Sequence, residues 1–205
     1  MSAGFARLTA TAAVLAGANI DTDVIMPKQF LKGIDRTGLA RGLFHDLRFD
    51  ADGAADPAFV LNWPGMEQCR ILLTGPNFGC GSSREHAVWG MLQYGIRAVI
   101  GTTFGAIFAD NAGNNGLLLI GLEPEMQSAL MAAASGGAEV TIDLEMQVIA
   151  AGLLTVPFAI EPSLRRAIML GLDRIGETLL LADQIRKFET DYFASAPWLL
   201  DDQPK

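Results

Sequence analysis

Cysteine and histidine are both scarce in this chain of 205 residues: two of each, Cys69 and Cys80, His45 and His86, with no Cys-x-x-Cys pair. That set cannot assemble four tetrahedral metal ligands of the usual kind, nor a disulfide framework. Long hydrophobic runs are also missing, so no helix is expected to span a bilayer. The opening stretch MSAGFARLTATAAVLAGANIDTD is interrupted by Thr9, Thr11 and Gly17, and reads as a strand rather than a signal peptide. Positive charge is short as well. Fifteen Lys and Arg against 23 Asp and Glu leave a formal charge of −8, the wrong sign for gripping a phosphate backbone, which excludes nucleic acid as the expected partner. No repeat or low-complexity tract occurs, and a reducing, cytoplasmic setting is expected.

What is present is an ordinary globular composition, half apolar and 19% charged. The length allows one domain with elaborations or a small pair. Residues 6–15 predict a strand, followed by the polar turn Asn19-Ile20-Asp21-Thr22-Asp23. Residues 27–41 form a basic island carrying Lys28, Lys32, Arg36 and Arg41, and residues 50–64 suit a surface excursion. The apolar run Ile71-Leu72-Leu73 predicts a buried strand, and a Gly-rich loop and a helix from about Ser83 to Gly95 follow it. Ala98-Val99-Ile100 completes a βαβ unit, whose loop belongs at the carboxyl edge of a sheet. Further on, helices are expected at 104–111, 124–134, 163–170 and 178–193. Strands are expected at 117–120, 140–144, 147–150 and 156–160, with a loose tail after Pro197.

The loop Gly75-Pro76-Asn77-Phe78-Gly79-Cys80-Gly81-Ser82-Ser83-Arg84-Glu85-His86 carries the chemistry. Ser82 and Glu85 have capping-box spacing. The glycines allow close backbone approach, and a helix N-terminus with Arg84 beside it suits an anion, a guanidinium being shaped for a carboxylate. A purely structural strand-to-helix turn is the competing reading. Neither a P-loop, which needs a Lys after its last Gly, nor a full G-x-G-x-x-G fingerprint is present. Cys80 reads as a small buried residue rather than a reactive thiol. His86 could orient a serine or be structural. Asp21-Thr22-Asp23 is an Asx-rich turn or the mouth of a site, and Arg36 and Thr37 are solvated surface or contacts to an acidic substrate. Trp63, Trp89, Trp198 and the methionines are assigned to core or edge packing.

Asn19 to Asp23 with Ile25 and Pro27-Lys28-Gln29-Phe30-Leu31, then Arg36-Thr37-Gly38, Asn77 to Ala87 as NFGCGSSREHA, Asn114-Asn115-Gly116-Leu117-Leu118, and Gly171-Leu172-Asp173 with Ile175-Gly176 resemble, in order, the small subunits of 3-isopropylmalate dehydratase in the aconitase superfamily. The likeness covers nearly the whole chain. It implies an α/β fold, a single swivelling β/β/α domain of the aconitase C-terminal type over 1–205, with a central βαβ unit, C-terminal helices and a tail at 196–205. It also implies a large-subunit partner that carries a [4Fe–4S] cluster, whose unique iron acts as Lewis acid on the departing hydroxyl. This chain would bind no cofactor or metal. The reaction implied is the hydro-lyase isomerisation of 2-isopropylmalate to 3-isopropylmalate through isopropylmaleate, in leucine biosynthesis. By resemblance Ser82 is the base, Ser83 a neighbouring contact, Arg84 the clamp on a substrate carboxylate, and Asp23 the partner of a histidine across the interface. Arg36 and Thr37 belong to the loop reading the substrate's variable group. Val88, Ala106 and Ala167 depart from the usual pattern. They leave open a relative acting on another 2-hydroxy diacid, of methylmalate, citraconate or dimethylmaleate type. A non-catalytic organic-acid binding module is the other alternative.

Overall fold

The computed structural model describes residues 4–31, 37–82 and 84–199. Two four-stranded sheets form its framework. The first is antiparallel, in the order β1 (Arg7–Ala10), β6 (Val140–Asp143), β7 (Val148–Ala151), β8 (Leu154–Pro157). The second is parallel, in the order β2 (Ala12–Leu15), β3 (Ile71–Thr74), β4 (Ala98–Gly101), β5 (Leu118–Gly121). The segment expected as one strand over 6–15 is therefore two, and Thr11 hands the chain from one sheet to the other. Ala10 and Ala12 on either side of it are both buried between the sheets, and their small side chains let the sheets meet at this corner.

The parallel sheet is covered on both faces, which is why its strands read as unbroken apolar runs. Ala12, Ile71, Ala98 and Leu118 lie in register and pack toward Ile142 and Ile149 of the antiparallel sheet. Ala13, Leu72 and Val99, one residue on, join the opposite core with Ala87, Val88 and Met91 of helix α3 (Glu85–Tyr94) and with Phe108 of α4 (Ala106–Asn115). Period-2 alternation thus survives inside the runs and sorts each side chain into one of two cores. Val88, one of the family departures, is fully buried in this second core. Helix α3 ends at Gly95, φ 113°, whose N–H reaches the carbonyls of Met91 and Leu92.

Before these come two single-turn helices, α1 (Thr22–Ile25) and α2 (His45–Arg48), set among 3-10 turns. After β5, α5 (Pro124–Ser135) carries Leu130 into the inter-sheet core, and α6 (Pro162–Leu170) adds Ile168. The helix expected over 178–193 is two helices, α7 (Arg174–Leu179) and α8 (Ala182–Ser195), and α8 has no buried residue. The expected helix at 104–111 starts at Ala106 and runs on to Asn115, past Gly113, and closes at Gly116 in the left-handed region. The expected loose end begins with a buried Ala196 and a 3-10 turn at Pro197–Leu199. Trp63 and Trp198 are about half and two-thirds exposed, not core.

Candidate active site

Three loops leave the carboxyl ends of β2, β3 and β4 and are stitched together there. Asn19 and Asn77 both adopt the left-handed conformation, φ 57° and 58°, and Asn77 Nδ2 donates to Asn19 Oδ1 at 2.8 Å. The Asn77 amide donates to Thr103 Oγ1 at 2.8 Å, Gly79 N–H to the Ile20 carbonyl at 2.8 Å and Thr22 N–H to the Cys80 carbonyl at 2.9 Å. The fit requires glycine at two points. A Cβ on Gly79, φ +73°, would lie 2.3 Å from the Phe108 ring, and one on Gly105 would lie 2.4 Å from the Gly79 carbonyl oxygen. Beneath them Gln127 of α5 is buried and donates through Nε2 to the carbonyls of Thr74 at 3.0 Å and Ile100 at 2.9 Å, tying together the strand ends from which two of the loops spring.

The cluster at the tip is Asp23, Ser82 and Arg84. Asp21 caps α1 through Val24 N–H at 2.8 Å and thereby turns Asp23 toward the loop after β3. Arg84 makes an ion pair through Nη1 with Asp23 Oδ1; it also donates from Nε to Ser82 Oγ at 3.0 Å and from Nη1 to the Met26 carbonyl at 3.3 Å. Its side chain is 11% exposed, against 47% for that of Asp23. Thr22 Oγ1, buried, donates to the Ser82 carbonyl at 2.8 Å and fixes the serine's backbone.

The expected capping box does not form. Helix α3 begins at Glu85 with Arg84 as its N-cap, and the Arg84 side chain makes no cap bond. Ser82 is engaged instead by Arg84 and Thr22, while the Glu85 carboxylate accepts from Asn115 Nδ2 at 2.7 Å. Tertiary partners outbid the local pairing. Ser82 consequently sits three residues ahead of the helix, and the field it feels comes chiefly from the Arg84 guanidinium.

Ser83 and Arg36 lie outside the described residues. Thr37 is exposed at the far end of the basic segment, directly before Gly38. His86 packs its ring on Trp89, centroids 4.7 Å apart. Cys80 is half-buried rather than buried, and Cys69 is fully buried, its Sγ donating to the Ile71 carbonyl at 3.2 Å. Burial pushes the Cys69 thiol up from its ordinary value, the backbone hydrogen bonds opposing. The two thiols flank β3 at opposite ends, so they cannot share a metal cluster. Among the described residues no group of three His, Cys, Asp or Glu is placed to hold an ion. Sequence reasoning missed Thr22, the Asn19–Asn77 pair and Gln127. The two asparagines sit where a polar residue tolerant of positive φ is required, which is a readable signal, whereas Gln127 comes from a helix 50 residues downstream and leaves none.

A cationic guanidinium donating to Ser82 Oγ favours the anionic form of that oxygen. The same guanidinium already holds a carboxylate, so the site is built for one.

Comparison with known proteins extends this geometry. The family described as the aconitase C-terminal domain matches residues 2–125, and that described as the C-terminal domain of the 3-isopropylmalate dehydratase small subunit matches residues 175–202. The 3-isopropylmalate dehydratase small subunit 1 of Chromobacterium violaceum is 48% identical over 197 residues, covering 95% of this chain and 93% of its own length. The small subunit from Caulobacter vibrioides is 50% identical, covering 95% and 98%. A solved 3-isopropylmalate dehydratase structure from Methanocaldococcus jannaschii superposes with a TM-score of 0.64 at 27% identity, covering 89% of this chain and 99% of that one.

Proposed function

Because the chain belongs to the family of 3-isopropylmalate dehydratase small subunits, in the aconitase superfamily, we propose that it supplies proton transfer and carboxylate binding for the isomerisation of 2-isopropylmalate to 3-isopropylmalate in leucine biosynthesis. The observation that carries this reading is Arg84, which holds a carboxylate and Ser82 Oγ on one guanidinium. The names of relatives at 48 and 50% identity favour isopropylmalate over the methylmalate, citraconate or dimethylmaleate type.

In this mechanism a substrate carboxylate displaces Asp23 from Arg84, and Asp23 turns to the large subunit. Ser82 Oγ, held anionic by the guanidinium, takes the carbon-bound proton. The electrons of that C–H bond form the C=C bond of isopropylmaleate as hydroxide leaves the neighbouring carbon. Water then adds with the opposite regiochemistry, and Ser82 returns its proton to the carbon that had borne the hydroxyl. Departure of hydroxide needs a Lewis acid that these residues do not provide; the [4Fe–4S] cluster of the large subunit supplies it. Ser82 is exposed in the isolated chain, and an alkoxide there is quenched by water, so closure against the partner is part of the reaction. Ser83 lies next to this base, and Arg36 and Thr37 belong to the segment that reads the isopropyl group. A cytoplasmic setting goes with this reading.

The test is to mix the chain with an anaerobically reconstituted large subunit and follow 2-isopropylmalate, methylmalate and citraconate by the ultraviolet absorbance of the unsaturated product. The reading expects turnover of 2-isopropylmalate only when both chains are present. Turnover by either chain alone, or a preference for methylmalate or citraconate, would overturn it.

A further inference from the structure

A cavity of about 750 Å³ opens between α2, the 3-10 turn at Leu39–Arg41 and the end of α3, and shares no lining residue with the Ser82–Arg84 cluster. One wall is a row of planar groups. The rings of Phe30 and His45 lie 4.8 Å apart and those of His45 and Phe49 5.3 Å apart, and the Arg48 guanidinium stands 5.0 Å over Phe49 and 5.1 Å over Tyr94. Arg48 is half-buried, and all its polar partners are neutral: Nε donates to Asn62 Oδ1 at 3.2 Å, and Nη1 to the carbonyls of Ala40 and Leu43 at 3.4 Å each. No carboxylate among the described residues pairs with it, and its Nη2 has no partner there. Burial lowers its affinity for the proton, Tyr94 opposing, yet a guanidinium stays charged at any physiological pH. Arg41 adds a second, exposed cation to the wall. Asp46, beside His45 in the chain, is not among the residues that line the cavity; it is 64% exposed and shared by His45 Nδ1 at 3.1 Å and Gln29 Nε2 at 3.2 Å.

A half-buried cation that pairs with no carboxylate among the described residues, facing a cavity large enough for a small molecule and floored by rings, is an arrangement that a bound anion completes. The remaining guanidinium N–H donors suit an oxyanion, and the ring-lined wall suits one carried on a flat or apolar body rather than a bare phosphate. We propose that this cavity is a second binding site, for a small organic carboxylate whose flat or apolar body lies along the Phe30–His45–Phe49 row while its carboxylate meets Arg48, with Arg41 at the mouth. The proposal stands apart from the hydro-lyase reading. Its position gives it a consequence: Phe30 and Gly38 both line the cavity and bracket residues 31–37, so a ligand here touches both roots of that segment.

Benzoate is a suitable probe, titrated into the full chain while the ring signals of His45 and Tyr94 are followed by NMR. Saturable shifts of both are expected, weakened about fivefold by Arg41→Gln, the worth of one exposed charge pair, and unchanged by Arg84→Lys. Arg48→Gln should abolish them, and because Arg48 also pins neighbouring loops, the exposed Arg41 decides the question if that variant unfolds. Three results would overturn the proposal: shifts that never saturate, saturation that Arg84→Lys removes, or equal saturation by sulfate, which would mean unselective anion attraction.

Discussion

Asp23→Asn separates the two things Asp23 does. In the isolated chain Asp23 neutralises Arg84 and, on the function proposed above, stands where a substrate carboxylate would bind. With its carboxylate 47% exposed, the pair is partly screened by solvent, so releasing Arg84 should improve its affinity for an incoming carboxylate by about 1 kcal/mol, or about fivefold. Isothermal titration of the lone chain with 2-isopropylmalate reads this directly. Asp23→Asn should bind about fivefold tighter at low salt, and the gap should narrow as salt screens the wild-type pair. In the two-chain enzyme the sign reverses, because the proposed function gives Asp23 a further role across the interface: kcat should fall. The same or weaker affinity in the lone chain would refute the idea that Asp23 is a stand-in for substrate.

The other expectations concern the clamp, the loop and the thiols. Arg84→Lys replaces three donor directions, to Ser82, Asp23 and the Met26 carbonyl, by a single point charge, and should lower kcat/KM of the complex by about 100-fold through loss of about 2–3 kcal/mol of charge-assisted bonding. Unchanged kcat/KM would remove the clamp role. Gly79→Ala drives a Cβ into the Phe108 ring at positive φ and should destabilise the chain by about 1–3 kcal/mol in urea unfolding; a neutral result would show that the loop does not need this close approach. In the folded chain one thiol, Cys80, should react promptly with a disulfide reagent while Cys69 waits for unfolding, since Cys69 is fully buried with its thiol shifted upward; two fast thiols would contradict that burial.

The parallel sheet was legible because its strands, buried on both faces, leave continuous apolar runs, and because Gly95 marks where the helix between two of them stops. The break at Thr11 was not, since threonine and alanine suit a strand all along 7–15 and nothing local marks where the chain changes sheet. Nor was the end of α7, where Leu179-Leu180-Leu181 suits a continuing helix as well as a junction between two. In the site, the family resemblance singled out Ser82, Arg84 and Asp23, which the structure brings together, but the spacing misled. Ser-x-x-Glu is satisfied locally in a capping box, and here Glu85 is drawn to Asn115 and Ser82 to Arg84, partners that only the folded chain brings near. Thr22 and Gln127 act through backbone carbonyls from distant segments, which no local pattern announces.

The central claim, that Ser82 moves the proton, is tested most directly in the two-chain enzyme by a single-turnover measurement of isopropylmaleate formation with Ser82→Ala. The hydroxyl is exposed and, among the described residues, bonds through its Oγ to Arg84 alone, so the variant should fold, pair with the large subunit and bind 2-isopropylmalate with affinity close to that of the wild type. The account predicts a rate at least about 100-fold lower, the usual worth of a positioned base. Isopropylmaleate formed at the wild-type rate by Ser82→Ala would contradict it and assign proton transfer to another group.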